Sequence, residues 1–196
     1  SKEKGTIKKC YTSGENFGET VIGGLVGENH GDINQSFSRV NVQGNKNSGG
    51  LVGINNGNIT NCLAKKFIEP ALMTDNFYHE KEDIFKIKEE IENLGEMVGV
   101  NKGTIKNSYS KGISSSSEIS PFIGKDKGVV LNCYYYPKDN AKDLSNAIPL
   151  NEDQERNENY FKNWDFDKVW VINEKKADPS LKWTFDTIIC NSFIYR

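Results

Sequence analysis

The sequence predicts an all-β chain wound as a right-handed parallel β-solenoid, with one inserted amphipathic helix and a C-terminal cap. Three observations carry this. A signature of the form Gly-x-Ile/Val-x-x-Cys/Ser-aromatic-Ser/Thr begins at Gly5, Gly31, Gly57, Gly103 and Gly128, at spacings of 26, 26, 46 and 25 residues. A second signature, Gly23-Gly24-Leu25-Val26-Gly27, precedes the first by eight residues and returns as Gly49-Gly50-Leu51-Val52-Gly53, Gly95-Glu96-Met97-Val98-Gly99 and Ser120-Pro121-Phe122-Ile123-Gly124. The apolar content is only 36% of 196 residues, with 18 glycines. That is lean for a layered globular core and compatible with short strands separated by turns.

Each unit holds two short apolar runs joined by turns of the Asn56-Gly57 kind, and neither run is long enough for a helix. One unit alone has nothing against which to bury its apolar residues. Stacked coils lay equivalent strands side by side at about 4.8 Å and align like residues into columns. Ile7, Ile33, Ile59 and Ile105 should therefore form one internal column, and the crossover rule for parallel strands gives the right-handed sense. The repeated glycines read as corner residues. They lack the Gly-Lys-Ser/Thr of a phosphate loop and the βαβ context of a dinucleotide site.

The cysteines test the same geometry. Cys10, Cys62 and Cys133 share one repeat position with Ser36 and Ser108. Neighbouring cysteines then lie two coils apart, roughly 9 to 10 Å, beyond disulfide reach. They are expected as free, buried, small hydrophobes.

The 46-residue spacing leaves about 20 residues beyond one coil, and an insertion is placed at residues 68–95. Within it, Ile84, Ile87, Ile91 and Leu94 recur at three and four between His79 and Leu94, predicting an amphipathic helix against the solenoid. Residues 1–137 thus form the solenoid. Residues 138–196 lose the repeat and carry Trp164, Trp170 and Trp183, with a helix-like patch around Asn151 to Lys162. An open strand edge invites association, so this segment is expected to cap the last coil.

Charge and composition narrow the function classes. The net charge of −2 gives no field for nucleic acid or an anionic membrane, and no run approaches the roughly 18 to 20 apolar residues of a spanning helix. Because the chain begins partway through a repeat, it is expected to belong to a longer parent. Four scattered cysteines and two histidines contain no C-x-x-C pair, so no metal or cofactor is expected. His79-Glu80 lacks the second histidine of a metalloprotease helix, and no Gly-x-Ser-x-Gly elbow surrounds Ser114 to Ser117. Asp165 and Asp167, with Asp186, suit a hard cation in type but not in loop spacing, and Asp165 and Asp167 read as turn residues beside Trp164 and Trp170. Tyr134, Tyr135 and Tyr136, together with Trp164, are the candidate binding aromatics. Packing between the last coil and the cap is the first expectation for them and a sugar or protein platform the second.

Gly24-Leu25-Val26-Gly27 and Gly50-Leu51-Val52-Gly53, each followed by Asn and the Gly-x-Ile-x-x-Cys/Ser-aromatic run, resemble the GLUG repeat. The tail is similar to the segment that closes such arrays: Ile148-Pro149-Leu150-Asn151-Glu152-Asp153-Gln154, Phe161-Lys162-Asn163-Trp164, Val169-Trp170 and Pro179-Ser180-Leu181-Lys182-Trp183. Glu96-Met97 and Ser120-Pro121-Phe122 depart from the motif at the fourth and fifth coils. The resemblance implies a non-catalytic module of a bacterial surface or secreted protein, a stalk or adhesive segment contacting a host or neighbouring-cell protein or glycan. Its alternative implication is an accessory, substrate-positioning region of a secreted immunoglobulin A peptidase-type metalloprotease. A polysaccharide-active solenoid enzyme is the third possibility, and it rests on architecture alone.

Overall fold

The structure, a computed structural model, describes residues 4–65, 68–69, 90–112, 114, 116–137, 143–172 and 178–184. The chain winds as a parallel β-solenoid with three sheets. The first sheet stacks Thr6–Lys8, Asp32–Asn34, Asn58–Thr60, Thr104–Lys106 and Val129–Leu131. The second stacks Val26–Asn29, Val52–Asn55, Val98–Asn101 and Ile123–Asp126. The third runs Tyr11–Phe17, Phe37–Gln43, Leu63–Lys65, Tyr109–Lys111, Tyr134–Tyr135 and Ile148–Pro149, and Ile68–Glu69 pairs beside Val42 and Gln43.

Register follows the sequence repeat. Ile7 pairs with Ile33, Ile33 with Ile59, Ile59 with Ile105 and Ile105 with Val130. These side chains meet Leu51, Met97, Phe122, Val52, Val98 and Ile123 in one core. The departures at the fourth and fifth coils keep the register. Leu25 N–H bonds Leu51 O, Leu51 N–H bonds Met97 O, and Met97 N–H bonds Phe122 O at 2.9 Å, so each substitute stands in the leucine position. A side chain of about the right volume suffices there.

The glycines are required by close approach between coils and not by dihedral angle. A Cβ on Gly57 would lie 2.1 Å from Gly31 O, and one on Gly50 would lie 2.2 Å from Glu96 O. The left-handed corner is taken by other residues: Lys9, Gln35, Asn61, Asn107 and Asn132 have φ between 47° and 54°. Asparagine tolerates this region better than most side chains.

A second polar column lies inside. Asn29 Nδ2 donates to Asn55 Oδ1 at 2.8 Å, Asn55 to Asn101 at 2.9 Å, and Asn101 to Asp126 Oδ1 at 2.8 Å. The same Oδ1 atoms accept the N–H of Gly31, Gly57, Gly103 and Gly128. Each amide thereby turns the chain locally and ties one coil to the next. Asp126, an acceptor only, ends the described column. A buried amide so fully bonded contributes net stability, whereas a single break in the column would leave partners unpaired. The sequence signal is Gly-x-Asn/Asp-x-Gly at the repeat spacing, which overlaps the end of one glycine signature and the start of the other.

A third corner carries a visible conflict. Val21, Asn47 and Asn93 are equivalent, with φ of 57°, 51° and 56°. Asn93 Nδ2 donates to Asn47 Oδ1 at 2.7 Å. Valine is β-branched, and the left-handed region costs a non-glycine residue roughly 1–2 kcal/mol. Val21→Asn is expected to stabilise the fold by about 1 kcal/mol in urea unfolding, because it eases the corner and offers Asn47 an acceptor. Unchanged or lower stability would contradict this.

The insertion is shorter than residues 68–95. Ile68 pairs with Val42, Glu92 bridges to Lys46 and Gly95 to Gly49, so both ends belong to the coil. The predicted helix from His79 onward falls largely outside the described residues. Its last part, residues 90–94, is not helical: Asn93 occupies the left-handed corner, and Ile91 and Leu94 pack with Val40, Val42, Ile68 and Ile119. Their three-residue spacing reflects two inward positions around a bend.

Candidate functional site

The C-terminal segment does more than close the end. Ile148–Pro149 adds to the edge of Tyr134–Tyr135, as a cap should. Beyond it the chain turns back and descends the outer face of the third sheet. The three tryptophans follow the left-handed corner column. Trp164 Nε1 donates to Asn132 O at 2.9 Å, Trp170 Nε1 to Asn61 Oδ1 at 3.3 Å and Trp183 Nε1 to Gln35 O at 2.8 Å. Asn107 Nδ2 meets Asn163 O at 3.4 Å. The expected terminal cap is thus a lateral brace spanning from the fifth coil to the second. An outward row of large apolar side chains, Phe37, Leu63, Tyr109 and Tyr134, needs covering along its whole length, and the brace supplies Leu150, Phe161, Trp164, Trp170 and Leu181.

The candidate aromatics lie in or beside this junction. Tyr134 and Trp164 are buried in it, with ring centroids 5.7 Å apart, and Tyr135 faces the solenoid core. Tyr134 Oη accepts the Lys162 N–H at 2.8 Å. Tyr136 is half-buried, with Lys111 Nζ 4.7 Å from its ring centroid. The packing expectation accounts for where all four sit.

Beneath the brace is an ionisable cluster that sequence reasoning missed. Asn151 and Gln154 form a reciprocal capping box at the start of the short helix Glu152–Glu155, which aims Glu155 inward. Glu155 is fully buried. Its Oε2 accepts the Tyr109 hydroxyl at 2.5 Å, and its Oε1 pairs with Lys111 Nζ at 2.5 Å. Burial, reinforced by the Glu155 charge, raises the Tyr109 phenol above its ordinary range. One coil lower, Lys65 Nζ pairs with Asp178 at 2.6 Å. Burial lowers the Lys65 ammonium, and the Asp178 carboxylate opposes that shift. No signal in the sequence assigns these partners, since the acids come from a segment without repeats.

The cysteine column is as expected in register and different at one end. Cys62 and Cys133 are buried free thiols, whereas Cys10, on the first described coil, is exposed. Ser108 Oγ accepts the Cys62 N–H at 3.1 Å and donates to Lys106 O at 2.8 Å, and Cys62 and Cys133 Sγ make the same bond to the carbonyl two residues back, so serine and cysteine share one role at this position. Burial pushes both inner thiols up to about 12 from 9.0. Their raised folded-state values mean that the unfolded chain holds fewer protons above pH 9. Stability is intact below that pH and falls between about 9 and 12, by on the order of 1 kcal/mol per pH unit per thiol. Alkaline urea titrations should show this loss, and a disulfide-exchange reagent should label Cys10 while Cys62 and Cys133 react only on unfolding.

Asp165 Oδ1 accepts the Lys168 N–H and its carbonyl accepts those of Val169 and Trp170, the turn role expected of it. Among the described residues no group of three or more His, Cys, Asp or Glu side chains gathers, and no helix is long and apolar enough to cross a membrane. No family model matches the chain, and neither a curated protein nor a solved structure is significantly similar to it.

Proposed function

We propose that the chain is a non-catalytic repeat module of a bacterial surface or secreted protein, a stiff segment that contacts a host or neighbouring-cell protein or glycan. One observation carries the reading. The polar side chains best suited to chemistry are committed to one another: Tyr109, Lys111 and Glu155 under the brace, and the asparagine column between coils. Such bonding favours a rigid support over a reactive cleft. The resemblance of Gly24-Leu25-Val26-Gly27 and its copies to GLUG repeats agrees with it.

The test combines binding and turnover. The full chain, applied to arrays of host proteins and glycans, should retain at least one ligand class. Incubated with the same ligands and with immunoglobulin A, it should release no fragments. Cleavage that persists in highly purified chain would overturn the non-catalytic reading.

A further inference from the structure

On the outer face of the third sheet, one position forms a row of Ser13, Arg39, Lys65 and Lys111, set by parallel register from coil to coil. The brace neutralises two of these cations in the same manner, Lys111 with Glu155 and Lys65 with Asp178. The row continues past it. Among the described residues no carboxylate pairs with Arg39, which is exposed in a groove of about 500 Å³ lined by Ser13, Gly14, Glu15, Arg39 and Asn41. Asn41 Oδ1 is buried there without a hydrogen-bond partner among the described residues.

Aromatic rings flank the groove. Tyr11 is 57% exposed and stacks on Phe37 with centroids 5.2 Å apart, and Phe17 is 66% exposed. They stand six residues apart on one strand, about 20 Å at the usual rise. Their pairing partners, Phe37 and Gln43, are likewise outward positions of the next strand.

We propose that this groove binds a carboxylate-bearing oligosaccharide, with Arg39 on the carboxylate and Tyr11 against a sugar face. The proposal rests on the binding-module reading above. Arginine matches a carboxylate with two parallel N–H donors, as an ammonium does not. Exposed rings offer flat apolar area to the C–H face of a pyranose, while Glu15 and Ser13 accept hydroxyl protons. A peptide fits less well. The groove lies on the side-chain face of the sheet, where ladder N–H and C=O groups point along the sheet and leave a peptide backbone without partners.

The experiment is a calorimetric titration of the full chain with tetrasaccharides of galacturonate, glucuronate and mannuronate, a sialylated tetrasaccharide, a methyl-esterified oligogalacturonate and an oligoglutamate peptide. At least one acidic sugar should bind, and esterification should weaken an oligogalacturonate that does. Arg39→Gln and Tyr11→Ala should each weaken binding by about tenfold or more, with unfolding midpoints unchanged. Full binding in Arg39→Gln, no acidic sugar bound, or preference for an oligoglutamate peptide would overturn the proposal. Sugar binding that survives Arg39→Gln leaves the binding-module reading standing, whereas new reducing ends appearing with Arg39-dependent binding would sink the non-catalytic reading and keep the groove.

Discussion

Replacing Trp170 by alanine is expected to cost about 3–5 kcal/mol, enough to detach the brace. The side chain is fully buried. It stacks on Trp164 at 4.0 Å and donates to Asn61 Oδ1, and its strand pairs with Pro179–Leu181. Truncation removes the largest fully buried side chain, leaves an indole-sized void between two rigid surfaces, and strips Asn61 of a partner at a left-handed corner. Since the solenoid cannot collapse outward to fill it, little of the loss is recovered. Chemical denaturation followed by tryptophan fluorescence should show a lowered midpoint, with limited proteolysis cutting first within residues 143–184. Trp170→Phe should retain most of the stability. A loss under about 1 kcal/mol for the alanine variant would mean that the brace is not held by this contact.

Glu155→Ala should be comparably harmful, by about 3–5 kcal/mol, for a different reason. The carboxylate answers both a buried phenol and the Lys111 ammonium. Its removal leaves a cation without its counter-charge and a hydroxyl without an acceptor. The cost therefore lies in the abandoned partners and not in the intrinsic worth of the pair. A double variant, Glu155→Leu with Lys111→Met, should recover much of the loss, because apolar replacement of both members removes the unpaired charge. Tyr109→Phe in the parent chain should cost only about 1–2 kcal/mol. If the double variant is no better than Glu155→Ala, the pair is contributing through something other than charge compensation.

These two residues mark the boundary of what is legible in sequence. The columns of Ile7, Ile33, Ile59 and Ile105, and of Cys10, Ser36, Cys62, Ser108 and Cys133, are legible because a fixed spacing leaves a stacked coil little freedom of register. Slippage by one residue would turn every inward side chain outward. The asparagine column is equally periodic and still hard to read, since Asn in Gly-x-Asn-x-Gly also suits an ordinary turn. Arg39 is visible as one of only three arginines, at 39, 156 and 196. That it stands in line with Lys65 and Lys111 depends on strand register across an interrupted coil.

The periodic residues by themselves determined the solenoid, its sheet strands and the reduced thiols, because each repeated unit meets a copy of itself and the packing problem has one solution, applied again at every turn. Only the tertiary structure decided where the C-terminal segment lies, which acids meet Lys65 and Lys111, and that Arg39 is left facing a groove. A non-repeating segment rich in tryptophan signals that it must be buried. The surface that buries it is selected by shape and charge assembled from four separate coils, and no stretch of contiguous sequence contains that surface.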